Sequence, residues 1–563
     1  MRALDRFVGY NRDLFRKDLI AGLIVGMIAI PLGMAFAIAV GVKPEYGLYT
    51  TIIAGIIIAL FGGTRFQIGG PTGAFVPVLL AIVLQYGYKE LLIAGFLSGI
   101  LLIMMGLLRV GKAIQFIPRP VTIGFTAGIA VLIFSGQIPN VLGLGQLEKH
   151  EYFLLNMKEI LLHLSSVHFY SLLTAIICFL VIMAVQRWLP KIPGSFIGMI
   201  ASAVIAMLLF PAHVETIRTA YGAIPSALPK FQWLDIQLHD IRMMLFPALT
   251  IALLGGIESL LSAVVADRMS GTAHNSNREL VGQGLANMAV PLFGGIPATG
   301  AIARTAANIK NGAASPIAAV IHGLFVLLVV MLFARWASEI PLASMAPILM
   351  IVAWNMSERK EFSQILKAKT TDSLLLISTF VLTVLTDLVT AIWIGMAAAI
   401  VFYLLRMVAA HVRTLESSKE SNVLQRIAKG WGQVFKNASS WYKFQCKVMP
   451  VSASGKISEI AAADFSNHQQ TSMHVKLQGA MSFISAPQVK EALLQLVSSK
   501  PGFIQLDMGV VPYIDTTGEA LLHSFIQYVQ GYGGKLLLID PQMRTKGMLR
   551  QADKQGVIRM PNQ

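Results

Sequence analysis

The chain has 563 residues, 55% of them apolar and only 13% charged, with a net charge of +16 and a mean hydropathy of +0.66. That balance excludes a soluble enzyme of this size, which would carry far more charge, and describes a protein that crosses a membrane many times with an added domain. Two cysteines, Cys178 and Cys446, suggest neither a disulfide framework nor a cysteine metal site.

Residues 1–17 are basic and read as a short N-terminal segment. The apolar stretch from Leu19 to Val40 is too long for a signal-peptide core and reads as a first span over 18–40. Further spans are predicted near 48–61, 73–85, 91–108, 120–137, 169–186 and 194–210, then 244–265, 280–293, 300–309, 315–334, 342–354, 372–388 and 390–408. The fold class is therefore a polytopic α-helical membrane protein with 14 spans. Those beginning at Gly73 and Gly300 are shorter than the ~20 residues of a full crossing. Segments on the N-terminal side hold 18 Lys and Arg against 8 opposite, which places both termini in the cytoplasm. The positive charge thus implies a bilayer and no nucleic-acid partner.

Two small-residue breaks stand out, Pro71-Thr72-Gly73-Ala74-Phe75 and Ala298-Thr299-Gly300-Ala301-Ile302. Ala29-Ile30-Pro31-Leu32 and Gly256-Ile257-Glu258-Ser259 match at the same offset of 227, and Leu-Phe-Gly-Gly occurs at 60–63 and 292–295. These ordered matches imply two homologous halves, about 18–210 and 244–408. Duplicated halves with interrupted spans are how many secondary transporters build a midplane site. A helix beginning at Thr72-Gly73 or Thr299-Gly300 leaves its first N–H groups unpaired, and hydrocarbon cannot satisfy them. Such an end attracts an anion through its donors and about half a unit of positive charge. Thr72 and Thr299 are placed as N-caps or as hydroxyls for a ligand. Arg304, one turn inside the second half-helix, leans back toward the same cavity. The competing reading is ordinary loop punctuation with a snorkelling arginine.

Glu258 lies within a span, where a carboxylate costs ~2.5–3.5 kcal/mol on insertion scales. Ser262 is one turn away on the same face. A proton or sodium ion there would cancel the charge that repels an incoming anion, which makes symport simple. The alternative is a fixed Glu258–Arg304 ion pair that only holds spans together. No P-loop occurs, so ATP-driven pumping is not expected.

Residues 412–446 leave the membrane pattern and read as a linker. Leu424, Ile427, Trp431, Val434 and Phe435 share one helical face there, which suits either an interfacial helix on anionic lipid or packing onto the soluble domain. From 447 to 563 a small α/β domain is predicted, with strands at His474–Leu477, Phe503–Leu506 and Leu536–Ile539 and helices at Ala486–Leu496, Thr517–Tyr528 and Pro541–Gln551. It presents no nucleophile–base pair, so binding or regulation is expected of it rather than chemistry.

The motifs IAIPLGMAFA (28–37), GVKPEYGLYT (41–50), GGPTGAF (69–75), GGIESLLSAVVADRMSGTAHNSNRELVGQG (255–284) and ATGAIARTAANIKNGAASP (298–316) resemble the SulP or solute carrier 26 anion transporters. The tail, with MGVVPYIDTTG (508–518), is similar to their STAS domain. The resemblance implies a seven-plus-seven inverted repeat with core and gate domains, homodimers, and an anion site between the third and tenth spans. It also implies a bacterial plasma-membrane location. It assigns Thr72, Gly73, Ala74, Gly300, Ala301 and Ile302 to the helix ends around the anion and Glu258 to cation coupling. Some sodium-coupled members have aspartate followed four residues later by threonine, where this chain has Glu258 and Ser262, so proton and sodium both stay open. The long motifs are most similar to bacterial members proposed to carry dicarboxylates; others carry bicarbonate or sulfate. Thr516 falls where related anti-sigma-factor antagonists have a phosphorylated serine, which implies a regulatory position and a cytosolic partner. The function expected is secondary active anion transport without a cofactor beyond the coupling ion, with a channel-like conductor or a STAS-linked sensor as rivals.

Overall fold

The structure is a computed structural model that describes residues 10–111, 118–145, 147–150, 152–190, 192–211, 213–367 and 371–386, with a few positions between 394 and 401. In the C-terminal part it describes 445–449, 472–478, 503–511, 516–539 and 558–559, with isolated residues between. The predicted last span over 390–408 lies largely outside the described residues, and the predicted linker helix wholly so.

The first half runs α1 (Arg12–Val40), α2 (Pro44–Phe61), β1 (Gly69–Gly70), α3 (Val76–Tyr86), α4 (Tyr88–Leu107), α5 (Arg119–Gly136), α6 (Ile138–Leu142), α7 (Phe153–Leu162), α8 (Phe169–Trp188) and α9 (Gly194–Leu209). After the short α10 (Ile217–Tyr221), the second half repeats the plan. It comprises α11 (Leu238–Ser270), α12 (Ser276–Ala289), β2 (Thr299–Gly300), α13 (Ile302–Lys310), α14 (Ile317–Ala337), α15 (Leu342–Met356), α16 (Arg359–Lys367) and α17 (Thr371–Leu385). Seven of these helices are long and apolar enough to cross a bilayer, and three shorter apolar ones accompany them. The connecting helices α7, α10 and α16 have no counterpart in the sequence prediction.

Local signals set the boundaries. Asn11 starts α1 by accepting the Leu14 N–H at 3.0 Å, and Gly41 ends it in the left-handed region at φ 87. Asn275 likewise accepts from the Arg278 N–H at 3.0 Å, which starts α12 at Ser276 rather than near 280. Pairs of small residues let helices approach backbone to backbone. A Cβ on Gly47 of α2 would overlap the Gly33 carbonyl of α1, and Cβ atoms on Gly99 and Gly284 would each lie 2.6 Å from the other's carbonyl oxygen, which brings α4 against α12.

Two buried acids tie the halves to each other. Asp18 of α1 accepts from the Ala314 N–H at 2.6 Å, the Ser315 N–H at 3.1 Å and the Ser315 hydroxyl at 2.5 Å, just ahead of α14. Glu279 of α12 accepts from the N–H groups of Gly63 at 2.8 Å and Thr64 at 3.1 Å, from the Thr64 hydroxyl at 2.9 Å, and from the Gln283 amide at 3.0 Å. Both side chains are wholly buried, and these bonds offset the cost of burying a carboxylate.

The C-terminal sheet has the order β3 (Gln445–Met449), β4 (Ser472–Gln478), β5 (Phe503–Val510), β6 (Lys535–Ile539) and β7 (Ile558–Arg559). β3 pairs antiparallel with β4, and the remaining pairs are parallel. The three predicted strands are present. β3 starts at Gln445, two residues inside the segment assigned to the linker, and β7 was not predicted. α18 (Thr516–Gly531) starts one residue before the predicted helix, at Thr516 itself. The predicted 541–551 helix lies outside the described residues. Val475, Leu506, Phe525, Val529 and Leu538 form this unit's own buried core.

Candidate functional site

The two breaks meet. β1 and β2 pair antiparallel, with Gly69 opposite Gly300 and Gly70 opposite Thr299, so the chain of each half crosses the other where its helix is interrupted. Below the crossing the Ala301 N–H donates to the Ile68 carbonyl at 2.8 Å, and the Ile68 N–H donates to the Thr305 hydroxyl at 3.0 Å. Extended backbone inside a membrane protein needs such partners, because lipid supplies none.

Polar side chains from α11 and α12 hold β2 in place. The Gly300 N–H donates to Ser259 Oγ at 3.1 Å, and the Ser259 and Thr299 hydroxyls lie 2.8 Å apart. Thr299 donates onward to the Gly255 carbonyl at 3.2 Å, so the proton between the two hydroxyls comes from Ser259. Gln67 packs against Gly300 and donates to the Ser259 carbonyl at 3.2 Å, and its Oε1 lies 3.1 Å from the Thr64 hydroxyl, whose one proton it shares with Glu279. Asn287 bonds both backbone groups of Ala298 at 2.8 Å.

This arrangement corrects several expectations. Thr72 and Thr299 do not act as caps. The Thr72 hydroxyl donates to the Glu258 carboxylate at 2.8 Å, and that of Thr299 is taken up by α11. The second half-helix starts at Ile302, after the extended pair Thr299-Gly300, with Ala301 preceding it and no side chain capping it. The first begins as a 3-10 turn over Gly73–Phe75, also without a side-chain cap. Ser262 is buried, and its hydroxyl donates to Thr305 at 3.2 Å instead of joining Glu258. Gly73 and Ala74 are buried at the first end, where Phe36 of α1, Ile133 of α5 and Met356 of α15 converge on Gly73. At the second end Ala301 is buried, Ile302 and Glu258 are half-buried and Ala303 is exposed, so this end opens to accessible space.

Arg304 reaches across the crossing to the first-half backbone at Gly70 and Pro71. It is 2% exposed, its Nη2 donates to the Pro71 carbonyl, and its Nη1 lies beside Gly70 without a hydrogen-bond partner. The fixed ion pair with Glu258 does not form, since no nitrogen of one lies within 4.0 Å of an oxygen of the other. A buried guanidinium with an unspent donor, beside two uncapped helix N-termini, can accept an anion through charge and N–H groups together. Gln67, Ser259, Thr305 and Asn287 were missed from the sequence, because only the folded chain brings them to the crossing. His322 was missed although an ionisable residue within a span was a signal.

Interrupted helices from two inverted halves, crossing at an arginine, define an inverted-repeat membrane transporter. The sulfate permease family profile matches residues 15–379 and the STAS domain profile residues 465–562. The chain therefore belongs to the sulfate permease family; it is an anion transporter with a C-terminal STAS domain and not an enzyme. It is 49% identical over 552 residues to a putative sulfate transporter of Bacillus subtilis, covering 98% of this chain and 96% of that one. It is 30% identical over 438 residues to the bicarbonate transporter BicA of Picosynechococcus, covering 74% and 75%. Among solved structures it is similar to the transmembrane domain of a cyanobacterial bicarbonate transporter, with a TM-score of 0.62 at 29% identity over 68% of this chain and 98% of that one. A murine solute carrier 26 family member A9 shares the fold, with a TM-score of 0.66 at 15% identity over 99% and 92%.

Proposed function

We propose that this protein moves a small oxyanion or dicarboxylate across the bacterial plasma membrane by alternating access, coupled to a cation at Glu258, with both termini in the cytoplasm. The observation that carries this reading is the unspent Nη1 of buried Arg304 between the two helix ends. Relatives described as sulfate and bicarbonate transporters support the substrate class. Glu258 supports coupling over a channel, because a carboxylate beside an anion site repels the substrate unless a cation joins it. The proton is favoured over sodium. Ser262 is committed to Thr305, which leaves Glu258 and the Thr72 hydroxyl as a sparse set for a hard cation. The protein acts as a homodimer, and its STAS domain tunes the transport rate.

Uptake into proteoliposomes of labelled sulfate, bicarbonate and succinate, with proton and sodium gradients imposed separately, tests the proposal. Proton-driven accumulation of one of them is expected. Sodium-driven accumulation at constant pH would reassign the coupling ion, and conduction without accumulation under either gradient would favour a channel.

A further inference from the structure

His322 lies in the second turn of α14 and is completely buried. Neither ring nitrogen meets hydrogen-bond geometry with a partner, and the Ala319 carbonyl lies one turn back on the same helix. The ring packs on bare α2 backbone, since a Cβ on Gly55 would sit 3.0 Å from Nδ1 and 3.8 Å from the Gly69 carbonyl. On β1 the next residue, Gly70, faces the guanidinium, with a Cβ there 2.6 Å from Arg304 Nη1. Imidazole and guanidinium thus flank the crossing, close enough for their charges to interact.

The charged groups around the ring are few. Arg304 faces it from α13. On α2, Glu45, Tyr46 and Tyr49 lie in the first turns, ahead of Gly55, and on α1 the Asp18 carboxylate is engaged by Ala314 and Ser315. α14 itself contributes Arg335, in its last turn. A buried imidazole with both nitrogens unspent has capacity for a proton, and within a span such a group is a functional candidate. Two positive charges that close repel, and a monovalent anion on Arg304 cancels only one of them. A divalent anion balances both.

We propose that His322 takes up a proton when a divalent anion occupies Arg304, and so matches the site to dianions in preference to monoanions. This inference rests on the anion site proposed above. The proton comes from the bulk solution, adds to the free nitrogen lone pair of the neutral imidazole, and returns to the solution when the anion leaves. Electrostatic linkage of this kind makes anion affinity rise as pH falls.

The test uses the full chain carrying Glu258→Gln in nanodiscs, so that this carboxylate takes up no proton. Sulfate and chloride are titrated in weakly buffered solution at pH 7.5, with heat and proton uptake recorded together. About one proton per sulfate is expected and none per chloride. Adding His322→Gln should abolish the proton uptake and weaken sulfate at least about ten-fold at pH 7.5 while leaving chloride unchanged. The histidine-15N spectrum of the Glu258→Gln chain gives a reading that does not depend on how His322→Gln folds. One imidazolium resonance should appear on saturation with sulfate. Sulfate binding without proton uptake or a new imidazolium signal would overturn the role of His322 and leave the anion site standing. Absence of sulfate heat, with chloride binding intact, would overturn the preference for dianions, and absence of heat with both would remove the anion site as well.

Discussion

The Thr72 hydroxyl donates to the Glu258 carboxylate at 2.8 Å, which links the break in the first repeat to the acidic position of the second. This bond holds Glu258 and the first half-helix end to each other. Any cation that joins Glu258 acts directly on the residue preceding Gly73.

Glu258→Gln imitates the protonated acid and keeps an acceptor for Thr72. Anion exchange by this variant should persist within a factor of about three, while accumulation against a gradient is lost. Counterflow and gradient-driven uptake in the same vesicles measure the two separately. Undiminished accumulation would remove Glu258 from coupling.

Gly300 and Gly73 should respond differently to the same change. A Cβ on Gly300 overlaps the Gln67 amide, which is held by Ser259 and Thr64, whereas at Gly73 it meets only the ends of Ile133, Met356 and Phe36 at 2.9, 3.1 and 3.3 Å. Gly300→Ala should cost about 1–3 kcal/mol and lower the thermal midpoint, and Gly73→Ala should cost less. Equal midpoints would contradict the packing described at the crossing.

Asp18, the buried acid of α1, is fully engaged in bonds between the two halves. Its carboxylate serves Ala314 and Ser315 and also accepts from the Tyr10 hydroxyl at 3.0 Å. Asp18→Asn turns an amide toward N–H donors and should cost about 2–3 kcal/mol, read as a lower thermal midpoint. Tyr10→Phe should cost less. Burial and the adjacent carboxylate push the Tyr10 phenol from 10.0 up to about 12. A raised phenol contributes while protonated, so the bond is fully present below pH 10 and fades as pH approaches 12. Absorbance at 295 nm should show this tyrosine ionising late.

Much of this fold was legible because hydrocarbon leaves few choices. Paired Thr-Gly-Ala breaks in apolar chain pointed to interrupted helices over ordinary loop punctuation, and the constant offset from Pro31–Glu258 to Thr72–Thr299 revealed the repeat. The site was legible in outline and wrong in detail. Threonine before a half-helix reads as a cap, yet Thr72 and Thr299 spend their hydroxyls on α11, which no local pattern encodes. The same holds for Ser262, whose spacing from Glu258 suggested a shared ligand while its partner, Thr305, comes from another helix. In the C-terminal domain the β-branched and leucine-rich runs marked the central strands, whereas β3, with its alternating polar residues, and the two-residue β7 carried no such signal.

The STAS domain should tune transport and not perform it. Truncation after residue 413 should lower rate or dimer stability and leave anion affinity within about two-fold, because the crossing is built wholly from residues before 323. The sequence suggests Thr516 as a cap, but Thr516 is already the first residue of α18 and sits one place inside the capping position. Transport altered by Thr516→Glu and untouched by Thr516→Ala would favour phosphorylation instead.

If Arg304 and the crossed helix ends bind the transported anion, changing this one side chain should weaken uptake. Labelled sulfate, bicarbonate and succinate uptake should be compared across wild type, Arg304→Lys and Arg304→Ala at matched protein density and confirmed folding. Wild type should take up at least one of the three, Arg304→Lys should bind it more weakly, and Arg304→Ala should lose at least about ten-fold in apparent affinity. Apparent affinity unchanged in Arg304→Ala would contradict the account.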